Sequence, residues 1–250
     1  MPIAFLRRLT GKVRTVDANR QLGLSLAFVA GAANAGGFLA VNQYTSHMTG
    51  IVSAMADQLA LGNVTLALAG LGALLSFIAG AASSSLLINW ARHRRLHSEY
   101  ALSLLLEAAL LLCFGLLGGN LALHMGLFVP LTVMLLCFIM GLQNAIITKL
   151  SKADIRTTHV TGIVTDIGIE LGKWLYWNPN KDNPDQFLVF ANRQKLRLLS
   201  LLLLMFFSGG LVGAVGFKHI GFLSTIPLAM ILLLLAVVPV VDDLLERWRA

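Results

Sequence analysis

Apolar residues run along this chain in six long blocks, roughly Leu22–Val41, Val64–Trp90, Tyr100–Gly118, Met125–Thr148, Leu196–Phe217 and Phe222–Val241. Each is close to or longer than the ~20 residues a helix needs to cross the hydrocarbon core of a bilayer. Lipid offers backbone N–H and C=O groups no partner, so a spanning segment satisfies them internally, as a helix does. The short alternating segments of a barrel are absent from the sequence. Two further segments, Thr45–Leu61 and Thr157–Trp174, are helical in pattern but more polar. Each follows a span, and each is expected to be a short re-entrant or broken helix rather than a crossing.

The chain also repeats itself. Thr45-Ser46-His47-Met48-Thr49-Gly50-Ile51-Val52 matches Thr157-Thr158-His159-Val160-Thr161-Gly162-Ile163-Val164 at six of eight positions. Upstream, Phe28-Val29-Ala30-Gly31-Ala32-Ala33-Asn34-Ala35 matches Phe138-Ile139-Met140-Gly141-Leu142-Gln143-Asn144-Ala145 in Phe, Gly, Asn and Ala. The offsets are 110 and 112 residues, so the two blocks agree in order and spacing. Apolar bias does not generate Thr-x-His-x-Thr-Gly twice. Each half reads as span, polar segment, span, span. Three crossings per half turn the second copy upside down relative to the first, as in many secondary transporters. The expected fold is therefore an all-α integral membrane protein with about six transmembrane helices in two inverted three-span repeats. The expected organisation is one membrane domain over 1–250. A basic arm covers 1–21, repeat 1 covers 22–120 and repeat 2 covers 121–241, with a linker within 175–195 and a tail over 242–250.

Composition agrees. Hydrophobic residues are 57% of the chain and charged residues 12%, too few to cover a water-facing surface. Mean hydropathy is +0.77. The net charge of +7 could suggest a nucleic-acid partner, but the basic residues lie between apolar blocks. With the N-terminus cytoplasmic and the two polar segments not crossing, 18 of the 19 Lys and Arg residues fall on the cytoplasmic side and only Lys218 lies outside. Trp90, Trp174, Trp177 and Trp248 then sit at the same interface. This predicts a multi-pass membrane protein with both termini cytoplasmic, its partners the lipid bilayer and a small-molecule substrate, and no nucleic acid. Ala33-Asn34-Ala35 imitates a signal-peptidase site, but its stretch recurs later, so it is expected to belong to the fold. The linker Tyr176–Asn192 carries the turn signals Asn178-Pro179-Asn180 and Asn183-Pro184-Asp185.

The chemistry-bearing candidates lie in the repeated motif. Ser or Thr at a helix start can cap orphan N–H groups, and the start carries partial positive charge. Two such starts entering from opposite faces would converge near the midplane and could accept an anion or handle protons. At helical spacing His159, Gly162, Asp166, Glu170 and Lys173 share a face, and His47, Gly50, Ala54 and Gln58 share the matching one. Asp57 lies to the side. Substrate- or proton-pathway candidates are thus Thr45, His47, Thr49, Gly50, Asp57, Gln58, Thr157, His159, Thr161, Gly162, Asp166 and Glu170. Glu107, a carboxyl in mid-span, joins them. The competing reading is that the motif only caps and packs a broken helix. Asn34, Gln143 and Asn144 read as interhelical hydrogen-bonding residues, and the glycines as points of close helix contact. His47 and His159 lack a third ligand, so no metal site is expected. Cys113 and Cys137 read as packing residues. No cofactor is expected. No Gly-x-Ser-x-Gly, His-Glu-x-x-His or phosphate loop occurs, so no enzyme is expected.

Phe28–Phe38, Thr45–Val52, Gly141–Ala145 and Arg156–Gly162, continuing through Thr165-Asp166 to Gly172, resemble the YoaK family over nearly the whole chain. These are bacterial inner-membrane proteins of unknown function. The resemblance implies a six-span protein of the bacterial inner membrane and supplies no substrate. It also leads to an expectation of Asp where this chain has Asn34, and the neutral amide weakens proton coupling at that position. Small-solute transport is the preferred expectation. The alternatives are a non-transporting scaffold or stress-related component and, last, an intramembrane enzyme.

Overall fold

The computed structural model describes residues 15–96, 98–119, 125–150, 160–178 and 188–249. All regular structure among them is helical: α1 (Val16–Val41), α2 (Met48–Ala60), α3 (Val64–His93), α4 (Ala101–Gly118), α5 (Met125–Leu150), α6 (Val160–Leu175), α7 (Arg193–Ile220) and α8 (Thr225–Arg249). Among the described residues five runs are long and apolar enough to cross a membrane, the last being Arg193–Leu245 with 53 residues. That run would be ~80 Å long if straight, far beyond the ~30 Å hydrocarbon core. It is broken at Gly221, whose φ of 62° suits a glycine, and a 3-10 turn over Gly221–Ser224 leads into α8.

Local chemistry sets the ends. The Thr15 hydroxyl accepts the Ala18 N–H at 3.2 Å and opens α1. Asn42 closes it in the left-handed region at φ 54°, its N–H bonded to Phe38 O at 2.8 Å. Gly62, at φ 76°, makes the tight turn from α2 to α3. Asn192 opens α7, its side chain accepting the Lys195 N–H at 3.0 Å.

The long helices pack in two reciprocal pairs. A Cβ on Gly31 would fall on Phe206 O of α7, and one on Gly209 would fall on Phe28 O of α1. Likewise a Cβ on Gly80 of α3 would fall on Phe138 O of α5, and one on Gly141 on Phe77 O. Each pair is thus locked by a Phe-x-x-Gly on both partners, with backbones at a separation only glycine permits. Residue numbers rise together across both contacts: Gly36 and Phe217 meet farther along α1/α7, and Lys149 reaches Ser85 and Asn89 farther along α5/α3. Both pairs are therefore parallel.

Between pairs the helices oppose. Gln143 Nε2 donates to Leu26 O at 3.2 Å, while Gly37 faces Leu136, so α1 and α5 are antiparallel. The Tyr100 hydroxyl, at the start of α4, donates to Lys149 O at the end of α5 (3.5 Å). Ser98 N donates to Asp243 at 2.9 Å, and Gly115 faces Thr225, so α4 and α8 are antiparallel. The six long helices α1, α3, α4, α5, α7 and α8 consequently alternate in direction along the chain.

The core lies between them, around Leu22, Leu26, Leu104, Leu111, Phe114, Leu136, Ile139, Leu142 and Leu232. The outside is equally apolar. Leu66, Leu68, Leu75, Ile78 and Leu86 of α3 and Leu204, Phe207, Leu211 and Val215 of α7 are exposed. A continuous apolar exterior of this extent belongs in lipid, and the apolar helices mark an integral membrane protein.

Candidate functional site

The two polar helices start at mid-depth and leave towards opposite ends of the bundle. The chain turns back after α1 so that Ser46 Oγ donates to Asn34 Oδ1 at 2.9 Å, two turns before the end of that helix. From there α2 runs antiparallel to α3, Ile51 packing beside Ala73 and Met55 against Gly70. It ends where Asn63 Nδ2 donates to Gln58 Oε1 at 2.9 Å. Val160, the first residue of α6, lines a cavity of about 470 Å³ together with Asn34, Tyr44, Phe206 and Gly210. From there α6 descends beside α7 to the end of the bundle that carries Arg92, Lys173, Lys195 and Arg197, the basic end.

A larger cavity of about 730 Å³ opens beside α2, between α3 and α5. His47, Gly50, Ala54 and Gln58 line its α2 side, with Leu66, Ala73, Val133 and Met134 opposite. Thr49 and Asp57 are exposed and outside that lining. Ser or Thr capping is not realised at α2. His47 stands at the N-cap position with no side-chain cap bond, and its carbonyl accepts the Ile51 N–H at 3.1 Å. The first-turn N–H groups therefore keep no side-chain partner. The His47 ring lies over Gly50, filling the space a Cβ would take. Thr45 is fully buried, and its hydroxyl has no partner among the described residues.

The second copy is engaged differently. Thr157 and His159 lie outside the described residues. Thr161 and Gly162 are exposed at the start of α6. The Asp166 carboxylate pairs with Lys195 Nζ at 3.1 Å. Glu170 is buried and accepts from Lys173 Nζ at 2.8 Å and from Asn192 N at 2.7 Å. The hydrogen bond from Lys173, then the one from the Asn192 amide, holds this carboxyl below the usual carboxylate range. Both acids of the shared stripe thus bind the start of α7 at the basic end and do not point to mid-depth.

The basic end is tied across four helices. Arg92 donates to Glu99 at 3.1 Å and to the Tyr100 hydroxyl at 2.7 Å. Lys149 Nζ donates to Asn89 Oδ1 at 3.0 Å and Ser85 O at 3.3 Å. Asp243 accepts from Ser98 N.

Glu107 is fully buried on α4 with no partner for either oxygen among the described residues, and Gln143 Oε1 is likewise unpaired. Asn144, the next residue on α5, is half-buried. Among the described residues no cluster of His, Cys, Asp and Glu could hold a metal ion.

Sequence reasoning missed a third repeated block, at an offset of 129. Asn63 answers to Asn192, and Phe77-Ile78-Ala79-Gly80 to Phe206-Phe207-Ser208-Gly209. The extra 17 residues beyond the offset of 112 are the length of Tyr176–Asn192. Allowing for an insertion there would have revealed the Phe-x-x-Gly pairs and Lys195.

No curated protein and no solved structure matches this chain. A family model described as "Protein of unknown function (DUF1275)" matches residues 22–238, most of the chain's length, and the chain belongs to that family.

Proposed function

We propose that this protein is a small-solute transporter of the inner membrane, with six crossings and two inverted repeats that share a centre at Asn34. The observation that carries the proposal is that the segments opening both polar helices lie beside Asn34. Ser46 bonds Asn34, and Val160 lines the cavity that Asn34 faces. Broken helices entering from opposite ends and starting at mid-depth build such centres in inverted-repeat transporters. The alternating helix directions support six crossings. The reciprocal Phe-x-x-Gly contacts support two-fold exchange between the halves: the first helix of each repeat packs on the second long helix of the other. The likeness to the YoaK family fits the same reading.

Repeat correspondence also supports alternating access. Ala54, Gln58 and Leu66 line the open cavity beside His47. By offsets of 112, 112 and 129 their counterparts are Asp166, Glu170 and Lys195. Those three are clasped together at the basic end, through Asp166–Lys195 and Glu170–Asn192. One half is open where its mate is shut, the asymmetry expected of one end-state of a two-state carrier. In this reading the basic end is cytoplasmic, and the cavity beside His47 opens outward.

The test is uptake by the purified full chain in liposomes under a pH gradient, with radiolabelled formate, acetate and lactate as probes. Uptake is expected in the wild type and is expected to fall about tenfold or more, ~1.4 kcal/mol, in His47→Ala and His159→Ala. Unchanged uptake in both variants would remove the assigned site. Absence of flux for every probe together with stable co-purifying partners would favour the scaffold alternative.

A further inference from the structure

Glu107 is the single Asp, Glu, Lys, Arg or His between the ends of the six long helices, across 21–41, 64–91, 101–118, 125–148, 198–217 and 225–241. It lies in the middle of α4 with none of its surface exposed. Neither carboxyl oxygen has a hydrogen-bond partner among the described residues.

Its surroundings follow from the helix contacts. Tyr100 and Lys149 meet at the basic end. Glu107 is seven residues along α4 from that point and Gln143 six residues back along α5. At 1.5 Å per residue these are rises of about 10 Å and 9 Å, one level in the bundle. Gln143 is also fully buried. Its amide N–H₂ is anchored on Leu26 O of α1, and its Oε1 has no partner among the described residues. On the α8 side the level set by Ser98–Asp243 and Gly115–Thr225 brings Leu232 and Ala236, both fully buried. On the α3 side Ser84 lies near Ser103, their hydroxyls 3.5 Å apart.

The charged and titratable groups on the packed elements stand away from this level. Arg92 and His93 end α3, Lys149 lies at the end of α5, and Asp242 and Asp243 lie beyond Val241 in the last turns of α8. Glu99 and Tyr100 precede α4, Cys113 of α4 is exposed, and Cys137 of α5 faces Ile51 and Ala73. Among the described residues no cation is at hand to hold Glu107 as a carboxylate. An unpaired buried charge costs far more than a neutral acid. A neutral carboxyl has an O–H to give, and Gln143 offers an acceptor at the same depth.

We propose that Glu107 is an internal proton-binding site, a neutral acid in this state at the level of the equally unpartnered Gln143 Oε1, and that the proton leaves when the site opens to water. The proposal deepens the transport reading by naming the proton as the coupled ion, and it rests on that reading for the coupling alone.

Dicyclohexylcarbodiimide is the probe, applied to the intact chain in nanodiscs. The acid O–H adds across a C=N bond. The carboxyl oxygen bonds the central carbon, the proton goes to nitrogen and nothing leaves. Migration of the acyl group from oxygen to nitrogen then gives a stable acylurea that peptide mass spectrometry locates. The expected result is an adduct at Glu107 that declines as pH rises and is absent in Glu107→Gln, with no adduct from a water-soluble carbodiimide. Glu107→Gln is expected to fold with an unchanged thermal midpoint, because one neutral group replaces another. No adduct at Glu107, an adduct insensitive to pH, or loss of folded protein in Glu107→Gln would overturn the proposal. Liposomes separate the two readings. Solute flux that ignores the pH gradient and survives Glu107→Gln keeps transport and overturns the proton as its coupled ion. A pH-dependent adduct without flux of any probe keeps the proton site and sinks transport.

Discussion

At Gly31, Gly80, Gly141 and Gly209 the side chain is a single hydrogen because a neighbouring helix's carbonyl occupies the space beyond it. A methyl there must push two backbones apart, and backbone yields less readily than a flexible side chain. Gly80→Ala and Gly209→Ala are expected to destabilise the folded protein by about 1–3 kcal/mol, the cost of overpacking a well-filled contact. Gly168→Ala and Gly172→Ala on α6 meet nothing within 4 Å, and are expected to stabilise by roughly 0.5–1 kcal/mol through lost backbone freedom in the unfolded chain. Denaturant unfolding in detergent distinguishes the two classes. Equal effects in both would remove the carbonyl contacts as the cause. Gly50 differs in kind, because the group in its way is the His47 ring. Gly50→Ala is therefore a means of moving His47 with the helix kept whole.

At the scale of elements, α6 is held to α7 by a carboxyl whose partners come from both. Lys173 lies one turn along α6, and the Asn192 amide belongs to the cap of α7. Glu170 thus satisfies an orphan donor at a helix start as well as pairing a cation. Its folded-state proton affinity is lowered by these bonds. The stabilisation is then present above the ordinary carboxylate range and is lost as pH falls through the lowered value. Amide hydrogen exchange along α6 is expected to be slow near neutral pH and to rise in acid. In Glu170→Gln it should already be fast at neutral pH and respond little to acid. A wild-type α6 whose protection ignores acid would refute the role of Glu170. The counterpart in α2 uses the neutral Gln58 and Asn63, so its attachment is expected to be independent of pH over the same range.

At the scale of the whole molecule, the strength of the clasp matters as much as its place. Asp166 and Lys195 are each about two-fifths exposed, with side-chain accessibilities of 42% and 44%. Such pairs contribute only about 0.2–1 kcal/mol, small enough for the proposed transport cycle to break. Asp166→Asn is therefore expected to leave the fold intact and to open the basic end. In a background lacking Cys113 and Cys137, Ile163→Cys should react faster with a water-soluble maleimide once Asp166 is neutral. Ile163 is buried against the core. No change in rate would detach the pair from gating. The same background tests orientation: cysteines at Gly62 and at Arg94 are expected to label from opposite sides of the membrane. Labelling of both from one side would collapse the inverted arrangement and the shared centre with it.

Much of this architecture was legible in the chain because lipid forces the reading. A run of some 20 apolar residues has no option but a helix, so the long blocks and the helices agree within a few residues at most ends. The repeat was legible wherever it carried polar residues, since Thr-x-His-x-Thr-Gly stands out against an apolar background. Its third block was hidden, because Phe-x-x-Gly looks like ordinary span sequence and the linker shifts its offset. Partner choice was not legible at all. Whether α1 packs on α3 or on α7 depends on where two backbones can approach each other, and that matching joins Phe28 to Gly209 across most of the chain. The roles of Asp166 and Glu170 were hidden for the same reason: helical spacing puts them on one face, but only the docked start of α7 supplies Lys195 and the Asn192 amide. Glu107 could be seen in the sequence as an acid in mid-span. That its oxygens have no partner among the described residues, level with an equally unpartnered Gln143 Oε1, required the register of α4 against α5.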